Sequence, residues 1–167
     1  MKKKSLVCFL GFCLVFLSFQ LRALAAEDQI SENITKLLEG IDLLPQLSSE
    51  QANEYILLLC DSILLMAPQV DMPQNIQSEI KENIEAQRTT KNVIPQNDSI
   101  DSFWKAARFI NPNFDLNFPD NPTPETIKED VKLELNQALA FHNQGKMDQV
   151  EEILLRTLLR IVTPVKR

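Results

Sequence analysis

Residues with specialised chemistry are scarce in this chain of 167 residues. It contains three glycines, three cysteines, one histidine, one tryptophan and one tyrosine. Gly11, Gly40 and Gly145 lie far apart, so the sequence has no glycine-rich loop that could cradle a phosphate. A single histidine excludes a metal site built on a pair of histidines. No serine lies in a strand–turn–helix motif either, so the usual sequence signs of catalysis are absent.

The first 25 residues have the three parts of a secretory signal peptide. Three lysines at residues 2–4 precede an apolar-rich run over residues 6–21, and Ala-Leu-Ala at residues 23–25 forms a small-residue cleavage motif. The run is shorter than the roughly 20 residues that a membrane-spanning helix needs. We therefore predict that residues 1–25 are a cleavable signal peptide and that the protein is periplasmic or secreted. Three successive lysines favour a bacterial source, and an uncleaved membrane anchor is the alternative.

Removal of this segment changes both the charge and the cysteine content. Four of the 17 basic residues and none of the 23 acidic residues precede Ala26, so the mature chain would have a net charge of −10. Such a charge makes nucleic acids and anionic lipid surfaces poor partners. Cys60 would be the only cysteine, which excludes an internal disulfide and a cysteine-based zinc site. Because Cys60 lies in an apolar stretch, we expect it to be buried, with an intermolecular disulfide or a reactive thiol as the alternative.

The apolar residues of the remaining chain recur at helical spacing, which predicts a single all-α domain over residues 26–167. Residues 26–90 should form three helices, and the second of these, the most apolar, is expected to be the central helix. Residues 91–123 should contain a short helix followed by a loop rich in proline, asparagine and aromatic residues. Residues 124–163 should form a C-terminal hairpin of two helices. The predicted fold is a small bundle of about five to six helices.

The segment "ALAFHNQGKMDQVEEILLRTL" in this hairpin resembles part of a tetratricopeptide repeat, a helix pair of about 34 residues. The small, aromatic, turn, small and large positions of that pattern are occupied by Ala138, Phe141, Gly145, Val150 and Leu154. Glu134 stands where a large residue is common, Thr157 replaces the usual alanine, and no second copy lies upstream. The resemblance covers residues 138–158 and implies a peptide- or protein-binding groove without catalysis. An ordinary helical hairpin with a glycine turn is the alternative.

Five of the seven aromatic residues that follow residue 26 lie in or beside the proline-rich loop. They are Phe103, Trp104, Phe109, Phe114 and Phe118. We predict these five as partner-binding residues, because aromatic side chains dominate the hot spots of protein interfaces. The alternative is that the loop inserts its rings into grooves between the helices.

The single histidine, His142, has no second ligand at helical spacing on its own stripe. We expect a structural role for it at the C-terminal end of its helix, where the helix dipole favours a cation. No catalytic, metal-binding or cofactor-binding residue is predicted. Asn33 and Asn97 lie in glycosylation sequons, which matter only in a host that glycosylates exported proteins.

Together these patterns favour an exported, non-catalytic helical protein that binds another protein, as an adaptor, a chaperone-like factor or a secreted effector. A second hypothesis is a helical carrier of a small apolar ligand, enclosed by Leu57, Leu58, Leu64 and Met66. A third is a hydrolase-like enzyme built on His142 and carboxylates. Neither nucleic acid nor stable membrane insertion after signal removal is expected.

Overall fold

The computed structural model describes residues 26–42, 49–90, 97–116 and 122–163. Six helices follow one another in these ranges: α1 (residues 26–40, extended by a 3₁₀ turn at 41–42), α2 (Ser49–Met66), α3 (Gln74–Thr90), α4 (Asn97–Ile110), α5 (Pro124–His142) and α6 (Met147–Val162). No strand occurs in these four ranges, and the predicted small all-α bundle is confirmed.

The most completely buried helix is α6, which contacts α2, α4 and α5. Its side chains are buried on nearly all sides and not along one stripe. The buried residues are Val150, Glu151, Ile153, Leu154, Leu155, Thr157, Leu158, Leu159, Arg160 and Val162. The helix α2, which the sequence predicts to be central, also contacts three helices, α1, α3 and α6, but fewer of its side chains are buried. Although α2 is more apolar, Leu57, Leu58 and Leu64 are only partly buried against the core.

The N-terminal helix α1 packs through the apolar stripe that its sequence predicts, since Ile30, Ile34 and Leu37 are fully buried. Two hydrogen bonds fix it to α2. The Asn33 amide donates to Ser62 Oγ (3.1 Å), and the Tyr55 hydroxyl donates to the Leu37 carbonyl oxygen (3.1 Å). Asn33 is itself buried. The folded protein therefore does not present this sequon to a glycosylating enzyme.

The two ends of α5 follow directly from local sequence chemistry. At its start, Thr123 Oγ1 accepts a hydrogen bond from the Thr126 amide, while Thr126 Oγ1 accepts one from the Thr123 amide. At its end, Gly145 has φ 70°, a left-handed conformation that glycine adopts without steric cost. The Gly145 amide donates to the His142 carbonyl oxygen, and the Lys146 amide donates to the Phe141 carbonyl oxygen. This Schellman arrangement turns the chain from α5 into α6.

The two residues that depart from the tetratricopeptide pattern are hydrogen-bonded to each other across the α5–α6 interface. Thr157 Oγ1 donates to Glu134 Oε2 at 3.1 Å. Arg160 donates to Glu134 Oε1 through both Nε (3.1 Å) and Nη2 (2.8 Å), and its Nη1 donates to Asp130 Oδ2 (3.2 Å). Glu134 and Arg160 are each 7% exposed. A buried hydrogen bond between Thr157 and Glu134 therefore joins the positions where the repeat pattern has a small residue and a large one, and Arg160 adds an ion pair to Glu134.

Breaking this ion pair should destabilise the protein strongly. Arg160→Met leaves the Glu134 carboxylate buried without its cation, and we expect a loss of about 3–5 kcal/mol in the free energy of unfolding. The double variant Glu134→Leu/Arg160→Met should recover most of that loss, because neither charge remains. Denaturant unfolding followed by circular dichroism gives both values.

Arg88→Met is the matched control, because Arg88 pairs with Asp61 at 2.6 Å but is 43% exposed. Solvent screens this pair, so the control should lose at most about 1 kcal/mol. Equal losses for the two arginine variants would contradict the assignment of the Glu134–Arg160 pair to the core.

Candidate functional site

The five aromatic residues that the sequence predicts to bind a partner differ in their exposure to solvent. Phe103 is 1% exposed and Phe114 is 6% exposed, so both belong to the core and are not partner anchors. Trp104 is partly buried. Phe109, at 43% exposure, is the only one of these aromatic residues that is exposed within the described ranges. Phe118 lies outside the described residues.

The burial of Phe114 follows from its contacts with two helices. Its ring meets the edge of Trp104 on α4, with ring centroids 5.7 Å apart. The Arg156 guanidinium of α6 lies 5.4 Å from the Phe114 ring centroid, and the Arg108 guanidinium lies 5.4 Å from that of Trp104. These edge-to-face and cation–π contacts attach the start of the proline-rich loop to the bundle. The loop therefore inserts this ring between helices, as the alternative interpretation expects.

His142 and Cys60 both have structural surroundings. A ring nitrogen of His142, Nε2, lies 3.0 Å from the Glu27 carbonyl oxygen, which joins the end of α5 to the start of α1. Cys60 is a free, fully buried cysteine in α2. Burial raises the pKa of the Cys60 thiol well above its ordinary value, so the reactive thiolate is disfavoured. Neither His142 nor Cys60 lines the open cleft at the end of the bundle.

An open cleft of about 510 Å³ lies at one end of the bundle, where two interhelical turns meet the end of α4. We call it the turn-end cleft. It is lined by Gln69, Val70, Asp71, Phe109, Ile110, Gly145, Met147 and Asp148. The volume is within the range of small-ligand and side-chain pockets. Phe109 is the only residue of the cleft that the sequence alone indicates as a site residue.

The turns that form the cleft are held by backbone hydrogen bonds. The Met72 amide donates to the Ala67 carbonyl oxygen (3.0 Å), and the Gln69 amide donates to the Met66 carbonyl oxygen (2.8 Å). Asp71 has φ 53°, so it occupies the same left-handed region as Gly145 in the opposite wall. Aspartate is one of the few residues other than glycine that adopt this conformation readily. The cleft is thus formed before any ligand binds.

Six buried side-chain atoms in the described ranges have no hydrogen-bond partner: Gln69 Nε2, Gln149 Oε1, both carboxyl oxygens of Glu151, Arg156 Nε and Thr163 Oγ1. Gln69 Nε2 belongs to a lining residue, and Gln149 Oε1 and both carboxyl oxygens of Glu151 belong to the first two turns of α6. Glu151 is fully buried. Native proteins leave few buried polar atoms unpaired. Of these six atoms, only Gln69 Nε2 belongs to a residue that lines the cleft.

Glu151 lies on the same face of α6 as two residues of the cleft. Asp148 and Met147 precede it by three and four positions, and a helical side chain leans over the turn that precedes it. Glu151 itself is fully buried and does not line the turn-end cleft. Burial raises its pKa well above the ordinary value. The sequence signal for this group is a glutamate at helical spacing from the apolar residues Met147, Leu154 and Leu158 of α6.

Comparisons with known proteins yield no relative. A scan against protein-family models gives no match, and searches of curated proteins and of solved structures give none either. Within the described ranges, no helix has the length and apolar character required to cross a membrane. The same part of the chain contains no group of three or more histidine, cysteine, aspartate or glutamate residues placed to hold a metal ion.

The buried Glu151 should make the stability of the protein depend on pH. Because its pKa is raised in the folded state, the folded protein holds this proton more tightly than the unfolded chain does. The stability that comes from this tighter proton binding is fully present below the ordinary glutamate pKa. It is lost as the pH rises toward the raised pKa of the folded protein. Relative to Glu151→Gln, the wild type should lose up to about 1.4 kcal/mol for each pH unit in that window.

The free energy of unfolding of the two proteins, measured between pH 4 and pH 9 (roughly the range in which a shifted glutamate titrates), tests this dependence. Glu129→Gln, which removes an exposed carboxylate from α5, controls for the loss of one charge. A stability difference between wild type and Glu151→Gln that widens as the pH falls would contradict the burial of this carboxyl group.

Proposed function

We propose that this chain is an exported, non-catalytic helical protein that acts by binding another protein through the turn-end cleft. The observation that carries this proposal is the exposure of Phe109 in a concave, preformed surface. Contact between an exposed aromatic ring and water is unfavourable in the free protein. Burial of the ring in an interface removes this unfavourable contact and so favours binding. Because the walls are fixed by turns and helix ends, little ordering is required when the partner binds.

The surroundings of Phe109 distinguish it from the other exposed hydrophobic residue. Leu133 is 60% exposed, but it lies in the middle of α5 beside the exposed Lys132 and away from the cleft. Single exposed apolar residues of this kind are common on protein surfaces. Phe109 instead shares its cleft with the apolar side chains of Val70, Ile110 and Met147. This combination is typical of a site for a protruding side chain of a partner.

The hypothesis of a carrier for a small apolar ligand has less support. Met66 is fully buried in core packing, and Leu57, Leu58 and Leu64 pack against the core instead of lining the turn-end cleft. The cleft is open, and Asp71 and Asp148 form part of its wall. An apolar carrier site would be expected to enclose its ligand and to exclude carboxylates.

Site-specific photocrosslinking in the cells that make the protein tests the proposed function. A photoreactive phenylalanine analogue at position 109 should crosslink to one discrete partner, whereas the same analogue at position 133 should not. Phe109→Ser should abolish recovery of that partner while lowering the free energy of unfolding by no more than about 1–2 kcal/mol, since the side chain is 43% exposed and only part of its apolar surface is removed from water. Crosslinking that is equal at both positions, or absent at position 109, would contradict the proposal.

A further inference from the structure

We propose that Arg108 binds a carboxylate of the partner protein, next to the partner side chain that covers Phe109. This inference rests on the proposed function and adds the charge of the partner segment to it. Three observations carry it: Arg108 is exposed without a carboxylate partner, its guanidinium lies over Trp104, and it directly precedes the exposed Phe109. We call Trp104, Arg108 and Phe109 the α4 patch.

Arg108 differs from the other arginines of the described ranges in its electrostatic surroundings. Each of the others donates to a carboxylate: Arg88 to Asp61 (2.6 Å), Arg156 to Glu152 (2.7 Å) and Arg160 to Glu134 (2.8 Å). Arg108 is exposed, and it forms no ion pair with any residue in the part of the chain that the structure describes. In a chain with 23 acidic and 17 basic residues, such a guanidinium is an exception. It is therefore open to a carboxylate from a partner.

Trp104 holds this guanidinium in a defined place. Arg108 follows Trp104 by four positions, so the two side chains are neighbours on one face of α4. The guanidinium carbon lies 5.4 Å from the Trp104 ring centroid, and the Phe114 ring meets Trp104 with centroids 5.7 Å apart. A guanidinium over an aromatic ring keeps its N–H donors at its edge, where they can donate to both oxygens of a carboxylate. Arg108 therefore loses less side-chain freedom on binding than an unrestrained arginine does.

The position of Arg108 beside the turn-end cleft determines where the partner carboxylate lies. Phe109 lines the cleft and Arg108 does not, since consecutive side chains of a helix point about 100° apart. Asp71 and Asp148 belong to the cleft lining and repel a carboxylate from its interior. The partner therefore contacts Phe109 with an uncharged side chain, while its carboxylate lies outside the cleft at Arg108.

The other charges on the exposed side of α4 neither replace nor neutralise Arg108. Lys105 pairs with Glu79 at 2.7 Å, and Asp101 lies two helical turns before Arg108. The net negative charge of the chain opposes the approach of an acidic segment, but this repulsion is screened beyond about 8 Å at physiological ionic strength. A direct pair between Arg108 and a carboxylate is screened less, because the interface excludes water from it.

The end of a helix is a second reason for a basic residue at this position. Arg108 lies in the last turn of α4, where the helix dipole favours a cation. Lysine would serve the dipole equally well, but it lacks the planar fork that stacks on an indole and donates to two carboxylate oxygens. Arg108→Lys therefore separates a contribution to the helix end from recognition of a carboxylate.

Photocrosslinking from position 109, in the cells that make the protein, tests the inference when it is combined with changes at Arg108. Arg108→Gln should lower the yield of the discrete crosslink at least about fivefold, and Arg108→Lys at least about twofold, because interface arginines contribute strongly to binding. Lys132→Gln removes an exposed cation from α5 and should leave the yield unchanged. Far-ultraviolet circular dichroism of each purified variant should match that of wild type, which shows that the fold is retained.

Charge reversal identifies the carboxylate of the partner. Mass spectrometry of the crosslinked partner segment locates its aspartate and glutamate residues. Arg108→Glu, and a change of the contacting acid to lysine, should each lower the yield at least about fivefold. The two changes together should restore at least about half of the wild-type yield, since the pair forms again with its charges exchanged.

Four results would overturn the inference. The first is an undiminished crosslink with Arg108→Gln, and the second is an equal yield for Arg108→Lys and wild type, which would assign Arg108 to the helix end alone. The third is the failure of every charge reversal to restore the yield. The fourth is a crosslink that requires a phosphorylated partner residue. In each case a discrete crosslink from position 109 leaves the proposed function standing, whereas its absence with Arg108 intact would remove the proposed function itself.

Discussion

The structure depends on the burial of α6 by the helices around it. A helix that faces protein on nearly every side cannot leave its polar side chains in water, so a partner inside the bundle stabilises them. Glu151 is an exception, since its two carboxyl oxygens are unpaired. Thr157 and Arg160 find theirs in Glu134 on α5, through a network with three donor groups on one carboxylate. The polar interaction is therefore a consequence of the packing, and it fixes the register of α5 against α6.

The same burial explains why the candidate site lies where it does. Because the surrounding helices have finite length, they shield the middle of α6 from solvent better than they shield its ends. At the N-terminal end of α6 the cover consists of turns and not of helices, and the turn-end cleft opens there. Glu151 lies near this end of α6 and is withdrawn from water.

The sequence predicts the helices well because each one depends on local information. The three- and four-residue spacing of Ile30, Ile34 and Leu37 indicates a buried stripe, and Thr123 and Gly145 mark helix ends by their own chemistry. The identity of the central helix could not be predicted in the same way. That identity depends on which helix the others surround, and the apolar content of α2 gives no information about its neighbours.

The site was predictable only in part for a related reason. The sequence indicates a group of aromatic residues near the proline-rich loop, and Phe109 belongs to the cleft. Phe103 and Phe114 have the same chemistry but face the core, because the rotation of α4 and the path of the loop decide their exposure. Asp71 and Asp148 are 77 positions apart in the sequence. Nothing short of the tertiary fold brings them to one cleft.

Native-state hydrogen exchange tests the central position of α6 most directly. If α6 is the helix that the others surround, the amides of residues 154–159 should exchange only by global unfolding, with protection equal to the full free energy of unfolding. Amides in α3, which packs at the edge of the bundle against α2 and α4, should exchange through smaller openings. Maximal protection in α2, together with local opening of α6, would contradict this account.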